Sequence, residues 1–145
     1  MKKDAIGREI PEWGGRIVFH STDEESAKDI AENGYRYRSG RTQQGYYGEA
    51  VSFTEDYGYS RTFGDVTTVG IVADNAVILN TNDPVDWEKW QGLTVGEPIH
   101  RWKGIALLNG IDGIYDPGAG DLFMYNPRMV VYRGTRTWLV VEDSK

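Results

Sequence analysis

The stretch GEAVSFTEDYGYSRTFG, residues 48–64, contains the pattern that decides the predicted fold of this 145-residue chain. Within it, Ala50-Val51-Ser52-Phe53 predicts a short strand. Thr54 is a residue type that caps helices, so a helix is expected to follow through about Phe63. Gly64 then stands where a helix commonly ends. A strand therefore passes directly into a short helix within a region rich in glycine and tyrosine.

A second strand followed by a helix is predicted before this stretch. The run RIVFH, residues 16–20, is typical of a buried strand. Thr22 or Asp23 can cap the helix that comes after it, and Ile30 lies on the apolar face of that helix. Gly34 occupies the position expected for the helix end.

The elements after residue 64 alternate irregularly between strand and helix. Asp83-Pro84 predicts the start of one helix, and a second helix is expected over residues 101–109. Extended segments are expected at residues 66–73, 76–79, 111–115, 122–125, 129–132 and 137–141. Because strands and helices do not repeat regularly, the pattern predicts an α+β fold with a mostly antiparallel β-core and a few short helices.

Length and composition limit the classes of protein that this chain can represent. We expect an N-terminal arm at residues 1–15, pinned by Trp13, and a single domain at residues 16–145. The net charge of -6 argues against a broad surface for nucleic acid or anionic membranes. The absence of cysteine excludes disulfides and a cysteine nucleophile. Since no signal peptide or long apolar span is recognisable, we expect a cytoplasmic monomer.

Several common chemical motifs are absent from the sequence. The two histidines, His20 and His100, do not have the spacing of a metal-binding pair, and no Asp/Glu cluster accompanies them, so no metal site is expected. Dinucleotide-binding and P-loop glycine motifs and the GxSxG motif of serine hydrolases are missing as well. His100 is expected at the surface, whereas His20 ends a strand, where functional residues are often found.

The region of residues 34–64 has an unusual composition. It holds six of the 18 glycines and six of the nine tyrosines, together with Arg36, Arg38 and Arg41. Aromatic faces, closely approaching backbone and guanidinium groups suit a ligand that carries aromatic rings and phosphates. A turn-rich surface loop is the alternative, and composition alone leaves both interpretations open.

The ordered segments resemble the NAD-binding part of ADP-ribosyltransferases of the diphtheria-toxin and poly(ADP-ribose) polymerase type. The resemblance rests on the strand that ends in His20-Ser21-Thr22, on residues 48–64, and on LLNGIDGIYDPGAGDLFMYNPRMVV, residues 107–131. It covers about residues 16–133 and keeps the order of the segments in the family. The resemblance implies that the chain has an ADP-ribosyltransferase-like split β-sheet. It also implies that the protein is a small member of the family, of the bacterial or phage type.

The resemblance also implies which residues bind NAD, the substrate of these enzymes. His20 matches a histidine that bonds the adenosine ribose, and Ser21, followed by Thr22, matches a residue whose backbone holds the nicotinamide amide. Ser60 matches a serine that bonds the carboxamide, and Phe63 matches an aromatic residue that stacks on nicotinamide. A place for Phe63 in the hydrophobic core is the alternative.

Two positions depart from the family pattern. Ser52 stands where many members have a stacking tyrosine, and Tyr57, Tyr59 and Tyr47 are the candidates to supply the missing ring; we place Tyr57 among the NAD-binding residues. Asp121 matches the catalytic glutamate, shortened by one methylene group. Its alternative role is that of an aspartate in a turn after several glycines.

The resemblance implies an NAD-dependent transferase that cleaves the nicotinamide–ribose bond and passes ADP-ribose to a macromolecular acceptor. A protein acceptor and a role as a phage or bacterial effector are expected. A non-catalytic interaction module that inhibits a host protein is the alternative, which the departures at Ser52 and Asp121 favour. NAD hydrolysis and RNA 2'-phosphotransfer are related alternatives, and the acidic charge disfavours RNA.

Overall fold

The computed structural model describes residues 12–37, 44–45 and 47–137. In chain order its elements are β1 (Ile17–Thr22), α1 (Glu24–Asn33), β2 (Gln44–Gly45), β3 (Gly48–Glu49), β4 (Val51–Phe53), α2 (Tyr57–Ser60), β5 (Val66–Val72), β6 (Ile78–Asn80), α3 (Pro84–Thr94), α4 (Trp102–Leu108), β7 (Gly113–Asp116), β8 (Asp121–Met124) and β9 (Val130–Thr137). Short 3-10 helices cover Arg61–Phe63, Ile99–Arg101 and Pro127–Met129.

Two sheets organise the chain. One has the order β1-β5-β9 and is antiparallel throughout. The other has the order β4-β8-β7-β6, in which only the β6–β7 pair is parallel, and β2 and β3 form a separate hairpin. The expected α+β class, with antiparallel sheets and a few short helices, is therefore confirmed. Among the described residues, no helix has the length and apolar character needed to cross a bilayer.

A backbone bridge connects the two sheets. The amide of Phe19 on β1 donates to the oxygen of Thr54, just after β4, at 2.7 Å, and the amide of Thr54 donates back to Phe19 at 3.0 Å. The Thr54 carbonyl oxygen is thus used by Phe19, and the first backbone bond of the following helix goes instead from the Ser60 amide to the Asp56 oxygen at 2.9 Å. Asp56 caps α2 in its place and accepts a hydrogen bond from the Tyr59 amide at 3.0 Å. The predicted cap at Thr54 is therefore wrong by two residues.

The other predicted caps are confirmed. Asp23 accepts from the Ser26 amide at 2.6 Å at the start of α1. Gly34 ends that helix with a φ of 78°, a left-handed conformation that glycine adopts without steric cost. Asp83 caps α3, and Pro84 is its first residue.

The apolar residues form two clusters, one on each side of the β4-β8-β7-β6 sheet. Leu122 and Met124 of β8 point to the first cluster, whereas Ile114 of β7 points to the second, together with residues of α3 and α4. The buried members of the first are Trp13, Val18, Ile30, Tyr35, Phe53, Val72, Leu122, Met124 and Val130. Trp13 is only 5% exposed, so it pins residues 12–15 of the predicted arm, while residues 1–11 lie outside the described residues.

The last strand is longer than expected. Two strands are predicted at residues 129–132 and 137–141, but β9 is one strand over Val130–Thr137 that pairs with β5, with a register shift between Val69 and Gly70. Polar side chains such as Arg133 and Arg136 break the apolar pattern, yet a strand at the edge of an antiparallel sheet tolerates them because one face meets solvent. Residues 138–141 lie outside the described residues.

Candidate functional site

A cleft of about 690 Å³ lies where the end of β1 approaches β4, α2 and the start of β8. We call it the main cleft. Seven of the eight predicted site residues line it, namely His20, Ser21, Thr22, Ser52, Ser60, Phe63 and Asp121. These residues come from four elements and the short 3-10 helix, so the fold brings together positions up to about a hundred residues apart in the chain.

Tyr57 is the predicted site residue that lies outside this lining. Its ring centre is 5.4 Å from that of Phe19, and the Arg136 guanidinium lies 5.7 Å from the Tyr57 ring. These contacts place Tyr57 beside Phe19 of β1 and Arg136 of β9. The structure therefore does not group it with the cleft residues.

The imidazole of His20 is held by a backbone contact. Its Nδ1 atom lies 2.8 Å from the main-chain oxygen of Ser52. Because a carbonyl oxygen can only accept, Nδ1 carries the proton, and Nε2 of the neutral ring is left as an acceptor. Burial lowers the pKa of His20, and the bond to Ser52 opposes this effect. The ring is therefore held in its neutral form with one fixed tautomer.

A chain of hydroxyls supports the backbone of His20. Tyr35 donates to Thr68 Oγ1 at 2.8 Å, and the Thr68 hydroxyl donates to the main-chain oxygen of His20 at 2.8 Å. The rings of Tyr35 and Phe53 pack against the imidazole, with centres 6.2 and 5.6 Å away. These contacts fix the position of His20 from below the main cleft.

A buried cluster of three hydroxyls lies beside His20. Ser21 Oγ is 2.7 Å from both Ser60 Oγ and Thr67 Oγ1. The exposed fractions of Ser60 and Thr67 are 1% and 0%, so these groups satisfy one another without bulk water. The cluster connects β1, α2 and β5. It therefore holds the end of α2 against β1 and β5.

Gly64 makes the closest backbone approach at this end of the cleft. A Cβ atom at Gly64 would lie 2.6 Å from the Thr22 nitrogen and 2.7 Å from its Cα and carbonyl oxygen. All three are backbone atoms, which cannot rotate away. Only glycine lets the turn after Phe63 lie directly against the end of β1.

Phe63 is exposed rather than part of the core. Its side chain is 61% exposed, and its ring meets that of Tyr59 edge to face, with centres 5.0 Å apart. The core alternative for Phe63 is therefore wrong. An aromatic ring left open at the wall of a cleft is available for contact with a planar ligand.

Asp121 lies at the start of β8, partly buried, with a tyrosine as its hydrogen-bond donor. The Tyr59 hydroxyl is 3.4 Å from Asp121 Oδ2. Burial raises the pKa of Asp121, the Tyr59 bond lowers it, and the charge of Asp116 raises it again. Burial and Asp116 therefore favour the protonated form of Asp121, whereas the Tyr59 hydroxyl favours the carboxylate.

Asp116 lies directly opposite Asp121 in the β7–β8 pair. It accepts from the Tyr47 hydroxyl and the Gly118 amide, each at 3.0 Å, and from the Ala119 amide at 3.4 Å. Asp116 is not among the site residues predicted from the sequence. The spacing of two aspartates around a Pro-Gly-Ala-Gly turn is a hairpin signal that could have paired them.

Ser52 stands where the resemblance implies a stacking tyrosine, and its own side chain offers no aromatic ring at that position of β4. Ser52 is exposed on β4 and pairs with Phe123 of β8, whose ring centre is 5.2 Å from that of Tyr47. Tyr59 donates to Asp121 and Tyr47 donates to Asp116. Of the candidates for the missing ring, Tyr59 therefore has a direct link to Asp121.

The charged residues of the main cleft are mostly acidic. Asp23, Asp65 and Asp121 line it with a single guanidinium among the described residues, that of Arg36. Arg36 pairs with Asp29 at 2.7 Å. Arg38 and Arg41, singled out in the sequence, lie outside the described residues. Within the described part of the chain, no group of three His, Asp or Glu side chains could hold a metal ion.

Comparisons with protein-family models, curated proteins and solved structures find no match for this chain. The chemistry of the main cleft therefore has to be inferred from its own residues. They supply a neutral imidazole, an exposed aromatic ring and a carboxylate whose pKa is raised.

Proposed function

We propose that this protein has an ADP-ribosyltransferase-like fold and acts as an NAD-dependent ADP-ribosyltransferase with a protein acceptor. The observation that supports this most is that His20, Phe63 and Asp121 line one cleft. They correspond to the ribose contact, the stacking ring and the catalytic carboxylate that the resemblance implies. The order of these three residues in the sequence does not by itself require that they line the same cleft.

The residues of the main cleft suit different parts of NAD. Nε2 of His20 is an acceptor for a ribose hydroxyl because Nδ1 already donates to Ser52. The open ring of Phe63 offers a face for nicotinamide. Arg36 carries the one guanidinium among the described residues that line the main cleft, and we assign it to the pyrophosphate of NAD.

Asp121 carries the chemical step in this proposal. The bond between the ribose anomeric carbon and the nicotinamide nitrogen breaks, and its electron pair leaves with neutral nicotinamide. Positive charge then develops on the ribose, as in glycoside hydrolysis, and a nearby carboxylate stabilises it. The acceptor nucleophile forms the new bond to the anomeric carbon and gives its proton to Asp121.

Nicotinamide release from NAD by the purified protein tests the proposal. Asp121→Asn should lower the rate roughly 100- to 1,000-fold, the scale observed when a group that stabilises transition-state charge is removed. Glu88→Gln, which neutralises an exposed carboxylate on α3, is the matched control and should keep the rate. Mass spectrometry of the acceptor should show an added ADP-ribose. Absence of release, together with no rise in melting temperature with NAD, would overturn the proposal.

A non-catalytic module is the second candidate function. The observation that favours it is the combination of Ser52, which offers no ring, with a Ser60 hydroxyl that is 1% exposed and already bonded to Ser21. NAD that raises the melting temperature without any nicotinamide release would support this candidate over the enzyme.

A further inference from the structure

Tyr59 lies between two functional groups of the main cleft without lining it. Its hydroxyl reaches Asp121 Oδ2 at 3.4 Å, and its ring packs edge-on against Phe63 with a centre distance of 5.0 Å and an angle of 85°. On its other side it lines a second cavity of about 380 Å³, together with Trp13 and Tyr115. One side chain therefore supports both the carboxylate and the exposed ring from behind.

We propose that Tyr59 is a positioning residue that orients the Asp121 carboxylate and the Phe63 ring for the reaction in the main cleft. This inference rests on the proposed function. The resemblance makes Tyr59 only one of three candidates for a stacking ring and implies no positioning role for it.

The position of Tyr59 is itself determined by local bonds. Its amide donates to Asp56 Oδ1 at 3.0 Å, which is the N-cap contact of α2. Its carbonyl oxygen accepts from the Thr62 hydroxyl at 2.8 Å. These bonds hold the backbone of Tyr59, and the contacts of its side chain with Phe63 and Asp121 orient the ring and the hydroxyl.

The need for a donor at Asp121 follows from its neighbour across the strand pair. Asp116 is directly opposite and already accepts from Tyr47 and from two turn amides. Two carboxylates at directly opposed positions repel each other. The Tyr59 hydroxyl favours the charged form of Asp121 and thus opposes that repulsion.

Other titratable and charged groups surround this pair. Asp116 faces Asp121 from β7, and Tyr59 faces it from α2. The other titratable or charged residues that line the main cleft or the second cavity are His20, Asp23, Tyr35, Arg36, Glu55, Asp56, Asp65 and Tyr115. Burial and Asp116 raise the pKa of Asp121, whereas Tyr59 lowers it. Loss of the Tyr59 hydroxyl should therefore raise the pKa of Asp121, and loss of the Asp116 charge should lower it.

Three variants separate the two parts of the proposal. Tyr59→Phe keeps the ring and removes the hydroxyl, Tyr59→Leu removes both, and Asp116→Asn removes the opposing charge. Tyr132→Phe is the matched control, because its hydroxyl bonds Thr135 and it lines neither cavity. Melting temperatures of all variants establish that each remains folded.

The first readout is the pH dependence of nicotinamide release. Tyr59→Phe should shift the acidic limb to higher pH and reduce kcat in that limb roughly two- to fivefold, with KM for NAD nearly unchanged. Asp116→Asn should shift the limb to lower pH. Tyr59→Leu should in addition raise KM, because Phe63 loses its ring contact. An acidic limb that stays in place in Tyr59→Phe would overturn the proposal.

The second readout does not depend on activity. Carbon-13 NMR titration of the aspartate carboxyl groups, assigned with Asp121→Asn, follows the pKa of Asp121 directly. An upward shift in Tyr59→Phe and none in Tyr132→Phe would support the contact. An unchanged Asp121 titration in Tyr59→Phe would overturn it. If that shift occurs in a protein that releases no nicotinamide, the proposed transferase activity fails while the contact between Tyr59 and Asp121 stands.

Discussion

Nδ1 of His20 lies 2.8 Å from the main-chain oxygen of Ser52, a residue 32 positions later in the chain. With the neighbouring bridge between Phe19 and Thr54, this bond joins the first sheet to the second at the floor of the main cleft. The imidazole thus has a structural bond through one nitrogen and leaves the other nitrogen for a ligand. The pH at which His20 gains a proton therefore affects both stability and binding.

Acidification should destabilise the fold through His20. Burial lowers the pKa of His20, so the folded protein keeps the ring neutral while the unfolded chain binds a proton near its ordinary value. The free energy of unfolding should fall as the pH is lowered from about 7 to about 5. Urea unfolding at several pH values measures this. His20→Gln should reduce the slope, whereas His100→Gln, at an exposed position, should not.

Removal of the Phe63 ring should weaken NAD binding without unfolding the protein. The side chain is 61% exposed, so Phe63→Ala removes little buried surface. NAD affinity should fall by roughly 1–3 kcal/mol, on the scale of base–aromatic stacking. Calorimetric titration with NAD gives the affinity, and a thermal melt gives the stability. A large loss of stability at unchanged affinity would contradict the assignment of Phe63 to the nicotinamide.

The hydroxyl cluster should contribute measurably to stability. Ser21→Ala leaves the hydroxyls of Ser60 and Thr67 buried without their shared partner, at a cost of roughly 1–3 kcal/mol. Ser52→Ala is the control, because Ser52 is exposed and its loss should change stability by less than about 0.5 kcal/mol. Equal effects of the two substitutions on the free energy of unfolding in urea would show that the hydroxyl cluster does not stabilise the fold.

Two glycines should respond to alanine in opposite directions. Gly64→Ala places a Cβ atom 2.6 Å from the Thr22 backbone and should cost roughly 1–3 kcal/mol. Gly92→Ala, in α3 with open space around it, should stabilise the protein by about 0.5–1 kcal/mol. Thermal unfolding of both variants provides the comparison. If Gly64→Ala is as stable as the wild type, the close approach at the end of β1 is not required.

Local features of the fold were predictable wherever a few adjacent residues determine them. Asp23 and Asp83 cap helices because a short acidic side chain can accept from an amide two or three residues later. The helix cap predicted at Thr54 is wrong because the backbone of Thr54 pairs with Phe19, which is distant in the sequence. The long strand β9 was missed for the same reason, because its pairing with β5 compensates for its polar residues.

The amino-acid sequence by itself determined most helix boundaries, the set of residues that could carry chemistry and the order of elements except for the β2–β3 hairpin and the single strand β9. Tertiary structure alone decided that Phe63 is exposed, that Tyr57 lies outside the main cleft and that Tyr59 reaches Asp121 across 62 residues of chain. The physical reason is that caps and strand patterns depend on neighbours in the sequence. Contacts between side chains of separate elements depend instead on how two sheets pack, which one sequence does not reveal.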